Sequence, residues 1–320
     1  MPIWKIKFPP RPRLVFVSAA CPNRLPPPDW LCWSSAGCLI WMRRFKNIFQ
    51  KYIPDFLKTD GIITPRLLAG HLTGIRNYRG VEAVSNKPFP NLRSGLKIFE
   101  NDPLEAQPGT KFSYASYNWN VLGVVMESVT RQNFLTFMDE NVIKPLGLKN
   151  TCPDLAGVDD PQRTQFYEVN TNGKFFASPK VDLSYAWPSG GYLSTAEDLV
   201  HFGAAHFRAG FLKPESIKLL FTAQETADGQ PTPYGIGWFV GRHAFHHGGD
   251  SFGGTAVLLL LPAFRITVAI VSNGGLGVLR AAMRQGRAEK ESQQFLFNKE
   301  MIAAKIAGIF ATGIKSNRVG

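Results

Sequence analysis

The chain has 320 residues, 44% of them hydrophobic, and a formal net charge of +12. This length and composition allow a substantial core in one large or two modest domains. The positive charge is concentrated at the ends: residues 1–49 hold eight Lys/Arg against one acidic residue and residues 280–320 hold eight against three, whereas residues 50–279 hold twenty of each. Nucleic-acid binding requires a basic patch on a folded face, so this distribution argues against a nucleic-acid partner.

The sequence also gives little support for metal, disulfide or membrane chemistry. Its four cysteines contain no Cys-x-x-Cys pair and no other metal-ligand spacing. No window reaches the ~18 apolar residues of a membrane span. Leu14–Ala20 is apolar but too short for a convincing secretory signal, and Ser18–Cys21 is only faintly similar to a lipoprotein cleavage site. We therefore expect no metal, no cofactor and no transmembrane segment, while localisation and oligomeric state stay open.

Helical periodicity appears first after residue 60. Thr64-Pro65 is an N-cap followed by proline at the first helical position, and it opens a predicted helix that ends at Gly74. One face of this helix is expected to carry Leu67, Leu68, His71 and Leu72. A longer helix is predicted from an apolar stripe formed by Val121, Leu122, Val125, Met126 and Val129. A further amphipathic helix is predicted over residues 134–148.

The second half of the chain combines a turn, two more helices and two strands. Pro188–Gly191 is predicted to be a turn, and Ser194–Glu197 has the capping-box pattern that opens a helix. Thr255–Leu261 and Ile266–Ser272 are apolar runs four residues apart, which predicts an antiparallel hairpin of buried strands. Residues 299–311 are expected to form a last helix that packs on this sheet. Helices in the middle and antiparallel strands late predict an α+β architecture.

Seven short segments occur in a fixed order along residues 50–275. They are Ile63–Tyr78, Asn101–Leu104, Pro108–Tyr114, Pro145–Leu148, Ser189–Ala196, Tyr234–Trp238 and His247–Gly249. In this order they resemble the serine β-lactamase-related family, which includes class C β-lactamases, low-molecular-weight penicillin-binding proteins, esterases and mitochondrial β-lactamase-like proteins. The resemblance implies a β-lactamase/transpeptidase-like α+β fold, with an antiparallel sheet flanked by helices and a helical subdomain.

The resemblance also implies acyl transfer through a serine, a chemistry that needs three sites to converge. A Ser-x-x-Lys pair at a helix N-terminus places an amine one turn from the hydroxyl that it deprotonates. A Tyr-x-Asn motif carries a phenol that moves the proton to the leaving group. A Lys/His-x-Gly motif on an edge strand orients the substrate, and its backbone N–H completes the oxyanion hole. The expected partner is a small-molecule or peptide acyl substrate.

Two of these three sites have candidates. Tyr114-Ala115-Ser116 matches the tyrosine motif, with Ser116 in place of the usual asparagine. A hydroxyl reaches less far than an amide, which argues against strong β-lactamase activity. His247-Gly248-Gly249 matches the strand motif, and its glycines allow close approach of the backbone to a ligand.

Structural alternatives accompany both candidates. From the residues alone, Tyr114 could be a core tyrosine and His247 an incidental histidine in a turn. Which of His246 and His247 faces the cleft stays open. A metal site built from His243, His246 and His247 lacks a supporting carboxylate pattern, so we do not expect one.

The third site, the nucleophile, has no candidate at the expected place. Ser94-Gly95-Leu96-Lys97 does match Ser-x-x-Lys, but it lies only twenty residues before Tyr114, in a segment that the family uses as a surface helix. We therefore expect Ser94 and Lys97 to be a chance match. The nucleophile should lie before residue 50, where the chain is rich in Pro, Arg, Trp and Cys and matches no folded pattern. The family's two N-terminal strands are expected to be missing there as well.

A shift of reading frame would explain the missing nucleophile. When codons compatible with the chain are read from their third base, Trp41-Met42 forces Asp, and residues 36–47 can become GLLDLDAPVQKY, a run typical of this family after its nucleophile helix. Residues 15–23 can likewise become FRIGSVSKP, which contains Ser-x-x-Lys. Our hypothesis is that the nucleophile is encoded out of frame.

These observations predict three segments and one principal function. Residues 1–49 are expected to be aberrant or disordered, residues 50–279 to form the β-lactamase-related domain, and residues 280–320 to be a basic segment with the final helix. We predict a serine hydrolase of an ester, amide or lactam that is inactive as written.

Two other functions remain open at this stage. The first is a non-catalytic relative that binds a ligand or peptide in the same cleft. The second is a basic interaction protein whose tails bind polyanions, with the salt dependence that such binding shows. The family is often periplasmic, secreted or mitochondrial, and the sequence does not decide among these locations.

Overall fold

The computed structural model of the chain describes residues 13–14, 53–58, 63–170, 174–251, 253–275 and 299–316. The predictions made for residues 1–49, including the frameshift, fall outside these residues except at Arg13–Leu14. Most of the basic segment before Lys299 also lies outside them. Within the described part, no helix is long and apolar enough to cross a membrane.

Nine α-helices are defined in the described part of the chain. They are α1 Pro65–Ala69, α2 Leu92–Gly95, α3 Tyr117–Thr130, α4 Phe134–Met138, α5 Lys144–Leu146, α6 Trp187–Gly190, α7 Ala196–Ala205, α8 Pro214–Leu220 and α9 Lys299–Ser316. A π-helical turn, Asp139–Ile143, joins α4 to α5, so one continuous helical rod covers most of the predicted helix over 134–148. It ends at Gly147, whose φ of 66° a glycine adopts without steric cost.

In the part of the chain that the structure describes, the strands form three sheets. They are β1 Arg13–Leu14, β2 Cys152–Pro153, β3 Tyr167–Val169, β4 Phe175–Ala177, β5 Tyr192–Leu193, β6 Phe239–Val240, β7 Phe245–Ser251, β8 Gly254–Leu261, β9 Ile266–Ser272 and β10 Gly274–Gly275. The main sheet has the order β6-β7-β8-β9, with every pair antiparallel. The smaller sheets have the orders β1-β5-β2 and β10-β3-β4.

Strand β8 separates two hydrophobic cores, because its side chains alternate between the faces of the sheet. Leu258 and Leu260 belong to the large core on the helical side. Val257 and Leu259 pack on the other face against α9, through Ala303 and Ala307 and their neighbours. The predicted hairpin of buried strands and the last helix on the sheet are therefore both present, and the α+β prediction is confirmed.

Three local predictions were wrong. Helix α1 ends at Ala69 rather than near Gly74, and His71 is outside it with a left-handed φ of 58°. Pro188–Gly191, predicted as a turn, overlaps the short helix α6. Helix α7 is capped by Thr195, whose hydroxyl accepts from the N–H of Asp198. The capping contact is thus one residue later than the predicted box.

A pair of helical glycines tests the tightness of the large core. A Cβ at Gly123 of α3 would lie 2.3 Å from Cγ of Pro188, whereas a Cβ at Gly308 of α9 would meet nothing within 4 Å. Gly308→Ala should raise the free energy of unfolding by about 0.5–1 kcal/mol through helix propensity. Gly123→Ala should lower it by about 1–3 kcal/mol because overpacking outweighs that gain. Urea denaturation of both variants measures the difference, and equal stabilisation would show that the contact between α3 and α6 is looser than described.

Candidate active site

A cavity of about 500 Å³ lies between the end of β7 and the segment that precedes α3. Its walls combine polar side chains with apolar ones such as Leu183, Ala186 and Phe239. The lining residues include Asn77, Tyr78, Tyr114, Ser116, Ser189, Phe239, Gly248, Gly249, Asp250, Ser251, Lys299 and Glu300. Of the sequence-predicted site residues, Tyr114, Ser116, Gly248 and Gly249 all line this cavity.

Hydrogen bonds from two loops hold the segment that carries Tyr114. The N–H of Ala115 donates to Nδ1 of His71 at 3.2 Å, and the N–H of Ser116 donates to Oδ1 of Asn77 at 3.1 Å. The ring of His71 also lies against Tyr114, with the centroids 4.2 Å apart. The backbone of His71 has a left-handed φ of 58°.

His247 of β7 forms a hydrogen bond with the segment that carries Tyr114. Its Nδ1 lies 2.8 Å from the carbonyl oxygen of Gly237 and 3.0 Å from the hydroxyl of Tyr234. A carbonyl oxygen can only accept, so Nδ1 carries the proton and Nε2 is the acceptor. The phenol of Tyr114, 3.4 Å from Nε2, therefore directs its O–H toward His247. His247 is only 6% exposed and does not itself line the cavity.

His246 and His247 have different surroundings, although they are adjacent in β7. The His246 ring stacks on Phe239, with the centroids 5.2 Å apart. His247 instead reaches Tyr114, so of the two it is the one that contacts a cleft side chain by hydrogen bonding. Among the described residues, no group of three or more His, Cys, Asp or Glu side chains could hold a metal ion.

Burial keeps the groups around Tyr114 uncharged. It raises the pKa of the Tyr114 phenol well above its usual value, and the neighbouring Tyr78 adds to the rise. Burial also lowers the pKa of His247 to about 4 and that of His71 to about 3. At neutral pH the cluster is therefore a protonated phenol between two neutral imidazoles. Among the described residues, no lysine contributes to the shift of Tyr114.

An ion network centred on the buried Arg76 lies beside the cavity. Arg76 is 4% exposed and donates to both carboxylate oxygens of Glu82, at 2.7 and 2.9 Å, and to Asp102 at 2.7 Å. Glu82 also accepts from the hydroxyl of Tyr117, and its carbonyl accepts from Tyr185. Because Arg76 precedes Asn77 and Tyr78 directly, this network positions two cavity-lining side chains.

The Ser94–Lys97 match is not part of this cavity. The hydroxyl of Ser94 donates to the carbonyl of Asn91 at 2.7 Å, inside the capping box of α2, and Lys97 is exposed. Sequence reasoning missed Tyr78, Tyr234 and Lys299 in the site. Tyr78 and Tyr234 each lie in a quoted family segment, but nothing in the spacing shows that they converge on Tyr114.

A sequence profile of the Beta-lactamase family matches residues 40–291. This chain belongs to the Beta-lactamase family. Mouse "Serine beta-lactamase-like protein LACTB, mitochondrial" is 28% identical over 211 residues, covering 57% of this chain and 38% of that protein. "Protein flp" of Staphylococcus aureus (strain MW2) is 25% identical over 237 residues, covering 70% of this chain and 46% of that protein. The chain thus matches less than half the length of these curated relatives.

Solved structures support the same fold. A penicillin binding protein from Bacillus halodurans superposes with a TM-score of 0.63 at 19% identity, covering 86% of each chain. A D-stereospecific amidohydrolase from Streptomyces sp. gives a TM-score of 0.61 at 18% identity, covering 75% of this chain and 79% of that one. The β-lactamase/transpeptidase-like fold and the serine β-lactamase-related family are therefore both confirmed.

The buried neutral histidines predict a loss of stability in acid. His206 joins His71 and His247 in this respect, since burial among Phe202 and its aromatic neighbours lowers its pKa to about 4. An unfolded histidine titrates near 6.5, so the unfolded chain binds more protons between that pH and the folded pKa. The free energy of unfolding should therefore fall as the pH drops from about 6.5 to about 4.

His206→Phe isolates one of these histidines without touching the cavity. It should remove up to about 3 kcal/mol of the pH-dependent loss, at about 1.4 kcal/mol per pKa unit. Urea denaturation at pH 7 and pH 4 measures the slope, and His201→Gln, at an exposed position of α7, is the matched control. An unchanged slope in His206→Phe would contradict burial of a neutral imidazole.

Proposed function

We propose that the chain carries the cleft of a serine hydrolase that acts on an ester, amide or lactam through an acyl-enzyme. We further propose that the polypeptide as written does not turn over, because its nucleophile is encoded out of frame. The observation that carries the proposal is that Tyr114 and the Gly248–Gly249 backbone line one cavity, while His247 is hydrogen-bonded to Tyr114. The sequence brings no Ser-x-x-Lys pair to that place.

Each retained group has a role in acyl transfer. Tyr114 would hand a proton to the leaving group, with His247 accepting the phenol's hydrogen bond and fixing its direction. Strand β6 pairs with only Phe245 and His246 of β7. In the described part, Gly248 and Gly249 therefore present their outer backbone to the cavity, where an N–H can stabilise an oxyanion. The serine and lysine would complete the reaction.

The protonated state of the Tyr114 phenol supports the proposed lack of turnover. A general base needs a pKa near the working pH, and burial moves the Tyr114 pKa in the opposite direction. Ser116 and Ser189 line the cavity and lie next to the Tyr78 hydroxyl, and among the described residues neither is hydrogen-bonded to a lysine. A hydroxyl without an adjacent base is a weak nucleophile.

Turnover assays test both halves of the proposal. With nitrocefin and p-nitrophenyl butyrate, the chain as written should match its own Tyr114→Phe variant at the level of the buffer. A chain with residues 15–47 read in the shifted frame should hydrolyse at least one of these substrates. In that restored chain, Tyr114→Phe should lower kcat by about 10²–10⁴.

Two results would count against the proposal. Turnover by the chain as written, lost in Tyr114→Phe, would mean that a serine elsewhere serves as nucleophile. A genomic sequence across codons 10–55 that is incapable of the shifted reading would remove the frameshift.

A non-catalytic ligand-binding relative is the second candidate function. The unactivated Tyr114 in an intact cavity favours it. If the restored chain is folded and binds acyl ligands without hydrolysing them, this second function replaces the first.

A further inference from the structure

Three charged side chains meet at the β7 end of the cavity. Lys299, the first residue of α9, is 3% exposed, and its Nζ lies 2.8 Å from Oδ1 of Asp250 and 3.6 Å from Oε1 of Glu300. Asp250 also accepts from the hydroxyl of Thr255. The first turn of α9 lies directly on β7, since a Cβ at Gly248 would be 2.6 Å from Glu300. One contact cluster in the lining of the cleft therefore consists of Asp250, Lys299 and Glu300, which we call the trio.

Among the described residues that line the cavity, the trio contains all the side chains that carry a formal charge at neutral pH. Lys299 is the one lysine or arginine among the described residues that line the cavity, and Asp250 already binds it. The side chains of Asp250 and Glu300 keep 30% and 37% of their surface exposed, so both carboxylates remain within reach of a ligand. Two carboxylates against one ammonium leave the trio with a net charge of −1. The N-terminus of α9 adds about half a positive charge, which does not reverse the sign.

We propose that Asp250 is a specificity-determining residue, which makes the cleft select acyl substrates with a protonated amine over those with a carboxylate. The inference rests on the function proposed above and names its substrate class. A carboxylate would have to displace Asp250 from a buried lysine and would also face Glu300. An ammonium instead meets two carboxylates that keep part of their surface exposed. An aminoacyl ester or amide therefore fits this end of the cleft, and a carboxylate-bearing lactam does not.

Binding measurements test the inference without any need for turnover. The probes are phenethylamine, 2-phenylethanol and 3-phenylpropanoate, which share an aryl group and differ in charge. Ligand-observed NMR titrations at pH 7 and low ionic strength give the ratio of the cation's affinity to the anion's. In the wild-type chain this ratio should exceed one, and it should shrink as salt is added.

A series of variants changes the charge of the trio one unit at a time. Lys299→Met gives −2, Asp250→Asn gives 0, and Asp250→Asn with Glu300→Gln gives +1. The ratio should change by about fivefold per unit of charge, rising in Lys299→Met and falling through the other two. Asp159→Asn removes one exposed negative charge outside the cleft and should leave the ratio unchanged.

A double variant separates charge from local structure. Asp250→Asn with Lys299→Met removes the ion pair but keeps the net charge of −1, so its ratio should equal that of the wild type. This comparison also covers the case in which Asp250→Asn alone fails to fold because Lys299 is left unpaired.

Three outcomes would overturn the inference. The first is that the anion binds the wild type as tightly as the cation does, and the second is that the ratio does not change along the charge series. Either result is compatible with the proposed function, provided that the neutral probe binds the wild-type chain and Tyr114→Ala weakens that binding. If none of the three probes binds, the proposed function fails together with the inference.

Discussion

The hydrogen bond between Tyr114 and His247 is the interaction on which the site depends. Tyr114 belongs to the segment before α3 and His247 to the middle of β7, so this contact joins the helical part to the main sheet. His247 can accept from the phenol only because Gly237 binds its other nitrogen and so fixes the tautomer. The cavity lies beside this contact and is lined by Tyr114 on one element and by Gly248 and Gly249 on the other.

The burial of Tyr114 and His247 also limits the proton transfer that these two side chains can perform. A tyrosine enclosed by His71, Tyr234 and Phe239 keeps its proton, because a phenolate would be desolvated there. Activation would require a cation beside the hydroxyl, and in the described part Lys299 is instead paired with Asp250. In the function proposed above, Tyr114 and His247 supply proton transfer and substrate orientation, and at neutral pH the phenol and the two imidazoles around it are uncharged.

Periodicity predicted the regular elements because their burial follows a simple repeat. The stripe from Val121 to Val129 gave α3, and the two apolar runs gave β8 and β9 with their antiparallel pairing. Periodicity failed at His71, which has helical spacing from Leu67 and Leu68 yet lies beyond the helix in a left-handed conformation. Its place is decided by the N–H of Ala115, more than forty residues away, and no local pattern contains that contact.

The candidate site was predictable only as a set of family segments. Tyr114 and His247 were named from their motifs, and the structure brings them together. Lys299 could be predicted as part of a last helix, but its contact with Asp250 depends on how α9 lies across the sheet, which the sequence does not encode locally. The nucleophile is a different case, since the described residues do not include the segment in which it was expected.

The most direct test of the account is a search for a covalent adduct. The chain would be incubated with a fluorophosphonate probe and with a penicillin, and intact-protein mass spectrometry followed by peptide mapping would report any acylated serine. The account predicts no stoichiometric adduct on the chain as written and one on the serine of the restored Ser-x-x-Lys motif. A stoichiometric adduct on Ser116, Ser189 or any other serine of the chain as written would contradict it.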